Sequence, residues 1–215
     1  MHRLFVISLF IFCLILTGCS RTVTVIPSFG TQMTVTATFR GNIDLSNNRY
    51  FMVISTNESY SFPMLPPEGG SLDEFLEPGD SPVVGDKADY FTKYYSTWHS
   101  YIILDSLGYY LVRGPFAITN TITRELISST IPQTNYLNFT IRLDRIFGAS
   151  LPDNIYFDVI SVDYPAGAQK YLKDHIAPPG RSISSVSGSI LSQNDEVKDD
   201  INESLDIISW SVSIE

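Results

Sequence analysis

From Thr31 to Arg40 the chain reads TQMTVTATFR, with Met33, Val35, Ala37 and Phe39 separated by Thr34, Thr36 and Thr38. Successive side chains of a strand point to opposite faces, so this period of two predicts a strand with one dry face and one wet face. The pattern recurs in YLNFTIRL, where Leu137, Phe139, Ile141 and Leu143 alternate with polar residues. It recurs again in LDIISWSVSIE, where Ile208, Trp210, Val212 and Ile214 alternate with Ser209, Ser211 and Ser213. A helix would scatter each apolar set around its circumference, so these segments commit the chain to half-buried β-sheet.

Other segments extend the pattern. RYFMVIST is apolar on both faces and reads as a central strand, and NIYFDVISVD is another strand. SYIILD, a turn at Ser106-Leu107-Gly108 and YYLVRG form a predicted hairpin. PFAITN follows, and TITRELISS is ambiguous. Helical spacing is confined to the start of DKADYFTKYY, a turn in DRIFG, a turn in SLDEFLE, and AGAQKYLKDHI, where Ala168, Tyr171, Leu172 and Ile176 share a side. The Pro- and Gly-rich stretch from Asn57 to Gly85 is a long excursion, and the polar run from Ser182 to Ser204 reads as a mobile surface loop. Seven to ten strands with one or two short helices and long loops predict a mainly β chain, a single antiparallel β-sandwich over residues 31–215.

Ahead of this lies MHRLFVISLFIFCLILTG, a basic start followed by an uncharged apolar core from Leu4 to Leu16. That core has the length of a signal-peptide h-region and falls short of the roughly 20 residues a spanning helix needs. Leu16-Thr17-Gly18-Cys19 resembles the bacterial lipobox. The resemblance implies a signal peptide, residues 1–18, cleaved before Cys19, with a diacylglyceryl group on the Cys19 thiol and a further acyl chain, such as palmitate, on the new amino terminus. Residues 19–30 then form a tether or an edge strand, and the expected location is the bacterial cell envelope, on the outer face of the plasma membrane or on the outer membrane. Cys13 leaves with the leader, so the mature chain has neither a free thiol nor a disulfide and depends on its core.

The formal charge is −9, from 14 basic and 23 acidic residues, and it becomes −10 when Arg3 leaves with the leader. An acidic chain argues against nucleic acid, whose binders carry basic patches. The membrane is met through acyl chains on Cys19, and a glycan or an envelope protein is the expected further partner.

The residues with chemical potential are few. His99 and His175 fit no metal spacing, and the P-loop and the G-x-S-x-G elbow are both missing from the sequence. His99 with Met52 or Met64 has haem-ligand chemistry, but no cofactor, no metal and no catalytic residue is expected. Asp73, Glu74, Glu77 and Asp80 cluster in one loop, and Asp195, Glu196, Asp199 and Asp200 in another, read as solvated charge. The aromatic run Tyr90, Phe91, Tyr94, Tyr95, Trp98, Tyr101 has two readings, core packing or ligand contact through flat rings with polar edges. Tyr90, Tyr94, Tyr95, Trp98 and Tyr101 are the candidate ligand-binding residues.

The order of YFMVIST, a long Pro/Gly loop, LNFTIRL, IYFDVISVD and a terminal ISWSVSI is similar to that of DOMON-type domains and family 9 carbohydrate-binding modules. That likeness implies a secreted β-sandwich that binds sugar or haem. Ser55-Thr56-Asn57 stand where such domains often place an acidic residue. The functional expectation is a lipid-anchored binding or structural module and not an enzyme; the alternative is an extracytoplasmic, glycosidase-like hydrolase using the loop carboxylates.

Overall fold

A computed structural model describes residues 30–63, 74–81, 83, 86–176 and 181–215. The leader, the lipobox with Cys19 and the tether up to residue 29 lie outside the described residues, as does Asp73. Among the described residues, eleven strands and two short helices follow in the order β1 (Gln32–Phe39), β2 (Asn48–Ser55), α1 (Lys87–Lys93), β3 (Ser100–Asp105), β4 (Gly108–Arg113), β5 (Arg124–Ser128), β6 (Tyr136–Arg142), α2 (Leu143–Phe147), β7 (Asn154–Asp163), β8 (Tyr171–His175), β9 (Ser182–Ser184), β10 (Ile190–Asn194) and β11 (Ile207–Ile214). A 3-10 turn, Tyr95–Thr97, joins α1 to β3. All pairings are antiparallel. One sheet has the order β10-β11-β1-β6, the other β5-β4-β3-β2-β7-β8 with β9 also on β7. The chain is therefore the mainly β, two-sheet sandwich that its alternating segments predict.

The alternation translates directly into the core. Met33, Val35, Ala37 and Phe39 of β1 are fully buried between the sheets, beside Leu137, Phe139 and Ile141 of β6. They meet Tyr50, Met52, Ile54, Phe157 and Val159 of the opposite sheet. The wet face of the smaller sheet carries Thr34, Thr36 and Thr38 beside Ser209, Ser211 and Ser213, with Thr34 and Thr140 hydroxyls 2.9 Å apart. β11 departs from strict alternation at one place. Thr38 pairs Ser209 but Phe39 pairs Ile207, so a bulge turns Ile208 out and buries Ile207 with Trp210, Val212 and Ile214. The hairpin of β3 and β4 closes on Ser106-Leu107, and Gly108 takes φ +130° against the Ser128 carbonyl, where a Cβ would lie 2.3 Å from that oxygen.

Three local expectations are corrected. The stretch with helical spacing at 168–176 is β8, an extended strand. Its inward positions are Leu172 and Asp174, and the buried carboxylate broke the apolar alternation that would have announced a strand. Asp174 can face inward because it accepts from Ile207 N–H (2.7 Å) and His175 N–H (2.8 Å) and is paired with Lys198. The polar run 182–204 is not a loose loop but contains β9 and β10. Its acidic end is tied down by Asp206, fully buried, which accepts from Arg40 Nε at 2.7 Å and from Lys198 N–H. Arg40 also donates to the Lys198 and Ile201 carbonyls, both at 3.0 Å. Finally, Glu74–Glu77 has no regular structure; the rest of the expected turn in SLDEFLE lies outside the described residues.

A second core covers the outer face of the larger sheet. Phe51, Val53, Tyr101, Ile103, Ile160 and Val162 point away from the sandwich interior and are sealed by Phe62, Phe75, Leu76 and the aromatics of α1 and the 3-10 turn. The described part of the excursion from Asn57, with α1 and the 3-10 turn, is thus a third layer. Its rings form an edge-to-face chain: Phe91–Tyr95 at 5.2 Å, Tyr95–Trp98 at 5.0 Å, Trp98–Tyr101 at 5.8 Å.

Candidate ligand groove

That third layer decides the position of the five aromatic candidates. Tyr90, Tyr94, Tyr95, Trp98 and Tyr101 are 9%, 4%, 1%, 4% and 0% exposed, so they are brought together as packing beneath the surface. Tyr95 donates its hydroxyl to the Leu76 carbonyl, and Tyr101 donates to Glu77 Oε1 at 2.6 Å. Burial pushes both phenols well above their usual range. Of the five, Trp98 also reaches the wall of a surface groove, while its indole N–H is spent on the Ser61 carbonyl at 2.6 Å.

This groove, about 460 Å³, opens where β2 ends, the 3-10 turn packs on it, and β4 leaves through a cis Gly114–Pro115 bond. Its polar wall is Ser55, Thr56, Asn57, Ser59, Ser96 and Thr97; Trp98, His99 and Pro115 complete it. The wall is held by its own hydrogen bonds. Ser55 Oγ donates to the Thr97 carbonyl and accepts from Asn57 N–H, both at 3.0 Å. Asn57 Oδ1 accepts from Ser59 N–H at 3.0 Å, and Thr97 Oγ1 accepts from Ser61 N–H at 2.9 Å. His99 stacks on Phe147 and lies 3.1 Å from the Ile146 carbonyl through Nε2. A neighbouring recess of about 400 Å³ shares Gly114 and Pro115 and adds Phe116, Asn120 and Thr121. The sequence offered one cue to this site, the hydroxyl- and amide-rich Ser55-Thr56-Asn57 directly after an apolar central strand; Ser96 and Thr97 join it only through folding.

The loop acids are engaged elsewhere. Glu77 is buried against Arg124 (2.5 Å) and Tyr101, and Arg124 also bridges to Asp105 at 3.0 Å. Burial raises the Glu77 carboxyl, with Arg124 and Tyr101 working against that shift. Glu74 accepts from Val83 N–H, and Asp80 is bound by Lys170 and Tyr164. In the second acidic stretch, Lys198 lies 4.0 Å from Asp195, and Asp199 lies 3.7 Å from Arg40. Among the described residues no group of three or more His, Cys, Asp or Glu side chains could hold a metal, and no helix is long and apolar enough to cross a membrane.

One buried pair has a measurable consequence. Asp158 Oδ2 and His175 Nδ1 face each other at 3.4 Å. Burial pushes Asp158 from 3.8 up to about 6. Burial alone would lower His175, but the facing Asp158 carboxylate outweighs it and the imidazole is raised. Burial also raises Asp174, against the pull of Lys198. Each of these groups, like Glu77, holds its proton more tightly in the folded chain than in the unfolded one. The stability they contribute is complete below the unfolded pKa and is lost as pH rises through the folded one. For Asp158 the loss runs from about pH 4 to about pH 6 and is on the order of 3 kcal/mol. The urea midpoint should therefore be higher near about pH 5 than near about pH 8, and Asp158→Asn should flatten the slope. A midpoint that climbs with pH over this window would contradict the assignment.

No protein-family model, curated protein or solved structure matches this chain. What fold and groove define together is an antiparallel β-sandwich with a neutral, hydroxyl-lined cleft at the end of its larger sheet.

Proposed function

We propose that this chain is a lipid-anchored extracytoplasmic binding module whose groove takes a neutral polyhydroxylated ligand, a glycan segment. The observation that carries this reading is the groove wall: six hydroxyl or amide side chains converge there with no Asp, Glu, Lys or Arg among its lining residues. Neutral donors and acceptors at short range suit hydroxyl groups, which offer both, and suit ions poorly. Pro115 adds apolar surface for the C–H side of a ring. The lipobox-like Leu16–Cys19 supports the address, and the resemblance of the segment order to that of DOMON-type and family 9 carbohydrate-binding domains supports the ligand class.

The test is a thermal-shift and calorimetric titration of the full chain in detergent with neutral oligosaccharides. A ligand at a hundredfold its Kd should add about 2.7 kcal/mol of stability. Asn57→Asp retains the acceptor that holds Ser59 N–H but places a charge in the groove. It should weaken binding about tenfold, the scale of one lost hydrogen bond. No shift with any neutral oligosaccharide, or equal affinity in the variant, would remove the proposal.

A further inference from the structure

Pro115 belongs to two recesses. The chain leaving β4 passes through Gly114 and Pro115 into a turn, where Asn120 N–H donates to the Ala117 carbonyl at 3.0 Å and Asn120 Nδ2 to the Pro115 carbonyl at 2.9 Å. The second recess, about 400 Å³, is built on this turn and shares Gly114 and Pro115 with the groove. Phe116 lines it with a half-buried ring that packs on Tyr101, the centroids 5.6 Å apart. A Cβ at Gly114 would stand 3.3 Å from that ring and 3.0 Å from the His99 carbonyl oxygen, so the bare backbone lets the ring lie against the end of the strand. Asn120 and Thr121 line the same recess with exposed polar side chains. Asn120 spends its amide donor on Pro115 and keeps Oδ1 as an acceptor.

An aromatic ring braced from behind, beside hydroxyl and amide groups, suits a sugar ring, whose C–H face meets the aromatic and whose hydroxyls meet the polar groups. Two other occupants fit less well. Arg113 is the one charged side chain among the described lining residues, and it is held by Glu125 and the Arg145 carbonyl, so an anion finds no unpaired cation. A peptide adding as a strand needs an open sheet edge, and β2, β3 and β4 are all interior strands. We propose that the two recesses are consecutive subsites for one neutral oligosaccharide, which fills the groove beside Asn57 and continues across Pro115 onto Phe116. This rests on the glycan reading of the groove and adds to it the length of the ligand. Each recess by itself lies in the roughly 300–1,000 Å³ range of small-ligand pockets, so a short fragment fills the groove and leaves the second recess to water. Joining the second contact to the first makes it intramolecular, and affinity rises with chain length with no change at the groove.

The experiment is calorimetric titration of the full chain in detergent with ladders of neutral glucan, xylan and mannan fragments, from single sugars to hexasaccharides. Affinity should rise about tenfold or more from the shortest fragment that binds to the longest. Phe116→Ala and, separately, Thr121→Glu should abolish that gain while the shortest fragment binds as before. Thr121→Glu alters an exposed side chain, so it reports on the subsite even where loss of the Phe116 ring disturbs Tyr101. Asn57→Asp, in the groove, should weaken every length. Affinity that is flat with length, a gain that survives both substitutions, or equal weakening of short and long fragments in both would overturn the second subsite and leave the groove reading standing. Absence of binding by every fragment would remove both.

Discussion

Replacing Trp98 with alanine is expected to lower the unfolding free energy by about 3–5 kcal/mol, the range for losing a large aromatic side chain from a core. Trp98 is 4% exposed and packs edge-on against Tyr95 and Tyr101. Its loss would open a cavity in the layer that covers Phe51 and Val53, and would leave the Ser61 carbonyl without its indole donor. Urea denaturation at constant pH measures this directly. A loss below about 1 kcal/mol would show that the aromatic layer rests on the sheet without close packing. The result also bears on how ligand binding is probed. An alanine at Trp98 changes the fold and the groove together, so Asn57→Asp is the cleaner variant for binding.

Removing the Asp206 carboxylate is the second large effect. Asp206→Ala should cost about 3 kcal/mol, the low end for breaking a buried ion pair. The low end applies because the Arg40 side chain is 23% exposed and keeps Glu203 at 3.5 Å and Asp199 at 3.7 Å as neighbours. The same carboxylate accepts from Lys198 N–H, so its loss unfastens the chain between β10 and β11. Amide exchange across residues 195–206 should accelerate beyond what global destabilisation explains. Asp206→Asn, which keeps an acceptor, should fall between the two. Unchanged exchange in the alanine variant would mean that the Arg40 contacts to the Lys198 and Ile201 carbonyls suffice alone.

The two effects mark where sequence and structure part. β1 and β6 were legible to the residue because one face meets oil and the other water, and period two records that division locally. β2 was legible as a central strand because both its faces are buried and apolar, and β7 was legible as a strand although Asp158 and Ser161 are buried within it. β8 was not, because Asp174 occupies an inward position that only Lys198 and the Ile207 N–H make tolerable. β10 was not, because an edge strand with exposed side chains carries almost no apolar signal. The bulge that exchanges Ile207 for Ile208 in the core follows from pairing with β1 and leaves no local mark.

For the groove, the sequence by itself determined the hydroxyl- and amide-rich ending of β2 and the cluster of aromatics after α1. It also determined the sandwich class, the acidic balance and the lipobox-like Leu16–Cys19, since each of these is written in the order and chemistry of neighbouring residues. Tertiary structure decided the rest. A ring at helical spacing has the same local pattern whether solvent or a sheet lies beneath it, and only the contact of the third layer with the larger sheet buries Tyr90, Tyr94, Tyr95 and Tyr101. Ser96 and Thr97 lie some forty residues from Ser55, and they share a cleft only because β2 and β3 pair side by side. Burial and convergence are properties of distant contacts, and no local period encodes them.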